Sequence, residues 1–330
     1  MSSSTQPSST NSPIRETLHH QIVIVGGGAA GITVASQLLV KNDKLDIAII
    51  EPSDKHYYQP AWTLVGGGEY NIEDTAKPEE RCIPKGVAWI KDYAADLDPD
   101  NNTVITREGK QVHYDYLVLC PGIQINWHLI EGLQEALGKG GVCSNYAFNY
   151  APYTWETIRN FKGGNALFTY PATPIKCGGA PQKIMYMADD TFRQQGVRDK
   201  TKVIYCNAMG AIFPVPAYAE PLLKIAERRN IEVNYKYNLK AIRAQSKEAV
   251  FDVTTDNGVQ EVVIPYDMIH VTPPMGAPDF VKNSKLSVQD GPSKGWVDVN
   301  KSTLQHNVYP NVFSIGDASS LPISKTAAAI

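Results

Sequence analysis

A strand, glycine turn, helix and second strand open the sequence. A strand ending in Gly-Asp closes it, and a second strand–turn–helix–strand run lies between. Together they predict an α/β chain built of two Rossmann-like dinucleotide-binding domains. The 330 residues suffice for two domains of ordinary size. The predicted plan is a polar tail over residues 1–20 and a first dinucleotide-binding segment over 21–130. A second Rossmann-like domain follows over 131–289, and a return to the first domain over 290–330.

Residues 21–25, QIVIV, are a β-branched apolar run of strand type. GGGAAG follows, then TVASQLLVK with apolar residues at helical spacing, then LDIAIIE, a second buried-strand run. In the fingerprint, Gly26 permits the tight turn, Gly28 admits a pyrophosphate to the backbone, and Gly31 lets helix and strand pack closely. Ala29 and Ala30 stand at the helix start, where free N–H groups and the positive dipole end favour phosphate. Glu51 lies 20 residues after Gly31, where a carboxylate accepts hydrogen bonds from ribose hydroxyls. At the other end, NVFSIGD (311–317) resembles the second FAD motif of the disulfide-reductase-like flavoproteins, which turns Asp317 toward the ribityl chain. YDYLVLCPG (114–122) resembles their connecting strand, with Cys120 and Pro121 in place of the usual Ala-Thr and Gly122 keeping the turn. The run from Val87 to Val104 reads as a strand and hairpin on the adenine side, where Ala94 would contact the cofactor through its backbone.

In the second domain, NALFTY (165–170) is the strand and 181–195 the helix. The turn between them, PATPIKCGGAP, has no GxGxxG, and neither does the segment after KVIYCNA. A domain of the shape that holds NADH thus lacks its phosphate turn, so another electron donor is expected. Cys177 occupies that turn, with Lys176 beside it, Lys183 one helical turn on, and no acidic residue between Pro171 and Lys183. A helix N-terminus and nearby cations favour thiolate, and Gly178 and Gly179 leave room for a small reactant.

The formal net charge of −3 gives no reason to expect nucleic acid as a partner. No stretch approaches the roughly 18–20 apolar residues of a membrane span, and the first 20 residues lack the apolar core of a secretory signal. The five cysteines are widely spaced, with no CxxC pair. This argues for reduced thiols in a cytoplasm-like compartment and against a zinc ribbon or disulfide framework. The seven histidines are dispersed apart from His19 and His20, so no metal site is expected.

PATPIKCGGAPQKIMYMADDTFRQQG, NAMGAIFPVPAYAEPL, HVTPPMGAPD, GWVDVNKSTLQH, NVFSIGDASSLPISKTAAA and HYYQPAWTLVGGG closely resemble the sulfide:quinone oxidoreductases, in the group of the mitochondrial enzymes and their bacterial relatives. The resemblance runs from about residue 20 to the end. It implies two cysteines flanking FAD as a disulfide or trisulfide. Sulfide attacks there, a persulfide forms on one cysteine, and two electrons pass through FAD to quinone. The sulfane sulfur leaves to a small acceptor. Cys177 matches the first family cysteine, and Glu51, Gln59, Asp317 and Lys325 fall on family positions near FAD. The resemblance further implies docking on a membrane surface by a C-terminal amphipathic segment. The chain would then be a peripheral protein of the bacterial or mitochondrial inner membrane, facing a cytoplasm-like compartment.

The chain ends at Ile330, at the start of an expected helix. The family's second cysteine, part of its quinone site and its membrane segment lie beyond that point, so a truncated chain is expected. Among the other cysteines, Cys120 is the alternative partner and Cys206 reads as packing. Competing readings are a type II NADH:quinone oxidoreductase, a flavocytochrome-type sulfide dehydrogenase subunit, and a non-catalytic FAD-binding fragment. A glutathione-reductase-type enzyme would need a CxxxxC pair in the first domain, and none occurs.

Overall fold

The computed structural model describes residues 16–322. The first domain runs β1 (Thr17–Val25), α1 (Ala29–Lys41), β2 (Ile47–Ile50), β3 (Ala88–Ile90), β4 (Ala94–Asp98), β5 (Thr103–Thr106) and β6 (Gln111–Leu119). These form one sheet in the order β3-β2-β1-β6-β5-β4. The β3-β2-β1-β6 part is parallel, and β4 and β5 add an antiparallel hairpin. The central strands read IVIV and IAII because both faces are covered, which removes the polar alternation of a one-sided sheet.

β1 begins at Thr17, inside the segment expected to be tail. Thr17 through His20 pair in parallel with Gln111 through Tyr114. Leu18 packs on the core, while His19 and His20 hydrogen-bond Asp115 and Asp46 at 3.2 and 2.9 Å. The partners of this polar stretch lie far away in sequence, so composition alone hides the strand.

In the linking segment, α2 (Trp62–Gly66) ends in the first of three consecutive glycines. A β-carbon on Gly66, Gly67 or Gly68 would stand 2.1 Å from Asn145 Oδ1, 2.0 Å from Met187 Cε or 2.6 Å from the Trp155 ring, respectively. The absence of these side chains lets α2 lie against the second domain's helices.

The second domain comprises β7 (Val142–Cys143), α3 (Ala151–Arg159), β8 (Gly164–Tyr170), α4 (Ala180–Gln194), β9 (Thr201–Asn207), α5 (Pro216–Arg228) and β10 (Glu232–Tyr235). It continues through β11 (Tyr237–Arg243), β12 (Glu248–Thr255), β13 (Gly258–Pro265) and β14 (Met268–His270). Its five-stranded parallel sheet has the order β7-β14-β8-β9-β10. Ile158, Ile184, Phe192 and Ala226 of the helices cover one face. Leu239, Phe251 and Val253 of the antiparallel β11-β12-β13 sheet cover the other. The chain then returns as β15 (Val312–Ser314), parallel to the end of β6.

Candidate active site

The first domain's three motifs meet at the start of α1. Gly26 has φ +105°, and a β-carbon there would lie 2.2 Å from the Cys120 carbonyl oxygen. The turn therefore needs glycine both for its backbone and for the close approach of the 114–122 segment. Gly31 is equally confined, since a β-carbon would lie 2.0 Å from the Gly26 oxygen. Gly28 differs. It is the N-cap of α1, no side chain caps the helix there, and a β-carbon would meet nothing within 4 Å. That open space in front of uncapped helix N–H groups fits a pyrophosphate. Gly316, at φ +81°, packs over the same spot, where a β-carbon would stand 3.2 Å from that of Ala30. Asp317 is thus delivered to the head of α1 from nearly 300 residues away. Gly122 has φ +74° with free space beside it, and Ala94 begins β4 at the far side of the sheet. Lys325 lies outside the described residues.

Glu51 follows β2 and accepts hydrogen bonds from the Gly27 and Ser53 N–H groups, each at 2.8 Å. Burial pushes its carboxyl above the usual carboxylate value, opposed by those two bonds. An acceptor held in place in this way suits ribose hydroxyls at the end of the second strand.

The second domain's turn faces this assembly. The Lys176 ammonium donates to Gln59 Oε1. Part of the Lys176 side chain reaches the surface, yet desolvation among protein atoms pulls its ammonium below the usual lysine value, and the Asp317 charge opposes that fall. Gln59, Lys176 and Asp317, from three distant segments, therefore surround one locus. Cys177 is half-buried, with Lys183 Nζ 3.9 Å from its sulfur. Its carbonyl accepts from the Ala180 N–H at 3.1 Å as α4 begins. A β-carbon on Gly178 would be 3.7 Å from the Tyr170 hydroxyl and 3.8 Å from the Phe213 ring, so an aromatic wall closes one side.

Sequence reasoning missed two features. Tyr146 and Tyr170 lie within electrostatic reach of Cys177, and burial raises both phenols. His56 and Glu79 stand behind Glu51. Their only signal is the tyrosine- and histidine-rich HYYQP run, which does not identify its spatial partners.

The other cysteines differ from Cys177 in setting. Burial drives the thiols of Cys120 and Cys143 up to about 12, and that of Cys206 higher still. Cys82 is also raised, first by burial and then by the Glu79 charge. A thiol so disfavoured as thiolate is a poor nucleophile.

Residues 20–152 match the family model described as pyridine nucleotide-disulphide oxidoreductase. The chain is 50% identical over 312 residues to the mitochondrial sulfide:quinone oxidoreductase of Dictyostelium discoideum, covering 94% of this chain and 68% of that protein. It is 47% identical to the mouse mitochondrial counterpart, with the same coverage. Among solved structures, the sulfide:quinone oxidoreductase of Aquifex aeolicus superposes with a TM-score of 0.77 at 22% identity, over 94% of this chain and 71% of that one. The chain belongs to the sulfide:quinone oxidoreductase family.

Proposed function

We propose that this protein oxidises sulfide at Cys177, with FAD as its cofactor and quinone as the electron acceptor. The observation that carries the proposal is the position of Cys177. It stands where an NADH-binding domain would place its phosphate turn, beside the Lys176–Gln59 contact that joins the two domains.

The residues divide the work by chemistry. The α1 head, with Gly26, Gly28, Ala29, Ala30 and Gly31, holds the pyrophosphate, and Glu51 holds the ribose. Gln59, Ala94, Gly122, Asp317 and Lys325 complete the cofactor set. When bound, FAD accepts two electrons and passes them on to quinone. Lys176 and Lys183 supply positive charge to a locus where hydrosulfide and thiolate, two anions, must approach one another. Sulfur–sulfur bond formation between hydrosulfide and the Cys177 thiolate yields a persulfide anion, one proton and two electrons. Tyr170 and Phe213 keep bulk water from one side of this turn. The persulfide's outer sulfur then leaves to a small sulfur acceptor.

Quinone as acceptor implies work at a membrane surface, as a peripheral protein on a bacterial or mitochondrial inner membrane. No helix among the described residues is long and apolar enough to cross a bilayer.

The test is to mix the flavin-loaded protein anaerobically with sulfide, and separately with NADH, while following flavin absorbance. Bleaching by sulfide alone is expected. Bleaching by NADH alone would move the protein to the NADH:quinone class. Bleaching by neither would leave a flavin-binding chain without this catalysis.

A further inference from the structure

Tyr170 is the last residue of β8, on the sheet face that α4 covers. Its carbonyl accepts from the Ala208 N–H at 2.9 Å, which fixes its backbone beside the end of β9. Its hydroxyl lies at the Cys177 turn, since a β-carbon on Gly178 would stand 3.7 Å from that oxygen. One residue on, a β-carbon on Gly179 would stand 3.8 Å from Lys183 Cε, and the Lys183 ammonium lies 3.9 Å from the Cys177 sulfur. Two donors thus reach a stretch, Cys177-Gly178-Gly179, that carries no side chain apart from the thiol.

The Tyr170 hydroxyl is also open. It makes no hydrogen bond among the described residues. The hydroxyls of Tyr146, Tyr186 and Tyr205, in the same cluster of phenols, are sealed from water, and that of Tyr170 is not. Burial and then the Cys177 charge raise the Tyr170 phenol above its ordinary value, so it remains an O–H donor at neutral pH. An accessible, unengaged O–H beside a thiol suits an anionic sulfur as its acceptor.

We infer that Tyr170 is a substrate-binding residue, whose hydroxyl donates a hydrogen bond to hydrosulfide at the Cys177 turn and then to the outer sulfur of the persulfide. This rests on the assignment of sulfide oxidation to Cys177 and adds a residue to it. The two donors divide the two anions: the Lys183 ammonium serves the thiolate, and the phenol serves the incoming sulfur. As the sulfur–sulfur bond forms, hydrosulfide and thiolate still lose one proton to solvent and two electrons to FAD. Tyr170 keeps its own proton throughout.

The test follows flavin bleaching in the full-length, FAD-loaded protein over a range of sulfide concentrations. Tyr170→Phe removes the hydroxyl and keeps the ring. It is expected to raise the sulfide concentration for half-maximal bleaching rate about tenfold, the loss of one hydrogen bond to a charged group, with the maximal rate within about twofold of wild type. Alkylation of Cys177 by iodoacetamide, which needs no bound sulfide, is expected to keep the wild-type rate. Gly178→Ala is the second variant. Its methyl group meets Tyr170 and Phe213 at ordinary contact distances, 3.7 and 3.8 Å, so the fold is kept while the approach to the hydroxyl is blocked. It should cost a similar factor, and the double variant should lose little more than either single one. An unchanged half-maximal concentration in Tyr170→Phe, a fall in maximal rate alone, or fully additive losses in the double variant overturns the inference and leaves sulfide oxidation at Cys177 standing. Should Tyr170→Phe not fold, an unchanged half-maximal concentration in Gly178→Ala overturns it equally. Absence of sulfide bleaching in the wild-type protein would overturn the underlying reading, and the inference with it.

Discussion

Replacement of Gly28 by alanine separates folding from cofactor binding. Gly28 has φ −71° and ψ −177°, a conformation open to any residue, and a β-carbon would touch nothing within 4 Å. The substitution therefore introduces no clash. By narrowing the unfolded ensemble it should stabilise by about 0.4–1 kcal/mol, so Tm should stay level or rise by roughly 1 °C. The same methyl group occupies the open space before the α1 N–H groups, where the pyrophosphate is placed. Displacing the phosphates removes one or two charge-assisted hydrogen bonds worth about 1.5–3 kcal/mol each, roughly a 10- to 100-fold weaker FAD affinity at the least. Gly31→Ala is the contrasting control, because its β-carbon would sit 2.0 Å from the Gly26 oxygen. Backbone must then move, at about 1–3 kcal/mol of overpacking, and stability falls together with binding. Thermal melting of the deflavinated proteins and fluorescence titration with FAD distinguish the two cases. A Gly28→Ala protein that binds FAD as tightly as wild type would refute the placement of the pyrophosphate.

Three further outcomes follow from the site. Cys177→Ser should abolish sulfide-dependent flavin bleaching while leaving FAD content unchanged, and rapid bleaching in that variant would remove Cys177 from the chemistry. Lys176→Met deletes a cation among Gln59, Asp317 and Cys177. It should lower the flavin reduction potential and weaken the flavin's sulfite adduct, both read spectroscopically, and unchanged values would show that the ammonium acts elsewhere. His270 is fully buried, accepts from the Asn145 N–H at 3.1 Å, and burial lowers its pKa from 6.5 to about 3. The unfolded chain therefore binds the extra proton between those values and the native protein does not. Stability due to this group is complete above pH 6.5 and is lost as pH falls toward 3, by up to about 1.4 kcal/mol per pH unit. Denaturant melts from pH 7 to 4 should show this slope, reduced in His270→Gln; an identical slope in that variant would assign the acid sensitivity to other groups.

Local patterns carried much of the architecture. IVIV-GGGAAG, IAIIE and VFSIGD announce their elements because a buried parallel strand, a tight turn and a helix head each demand particular residues within a few positions. β1's first four residues were illegible because their hydrogen-bond partners are Gln111 through Tyr114, some 94 positions away. The same limit applies to the site. Cys177 and its two lysines are readable as neighbours in sequence, whereas the reach of Lys176 to Gln59 spans 117 positions. Glu79 was invisible for a further reason: an acidic pair in a polar loop is ordinarily a solvated surface, and only the fold buries one member against Gly27.

This distribution of information bears on how the two domains work together. Each half of the site is specified by its own domain: the α1 head and Glu51 by the first, Cys177 and the start of α4 by the second. One segment that touches both runs from His56 to Gly68. At one end His56 touches the fingerprint turn at Gly27, in the middle Gln59 accepts from Lys176, and at the other end Gly66, Gly67 and Gly68 lie flush against Asn145, Met187 and Trp155. A side chain on any of those glycines would push α2 away from α3 and α4. Because Gln59 is the first residue of the short turn leading into α2, that push reaches Lys176 before it reaches the pyrophosphate site. The three glycines therefore seat α2 closely against α3 and α4, and the segment they anchor is the one that carries Gln59 to Lys176.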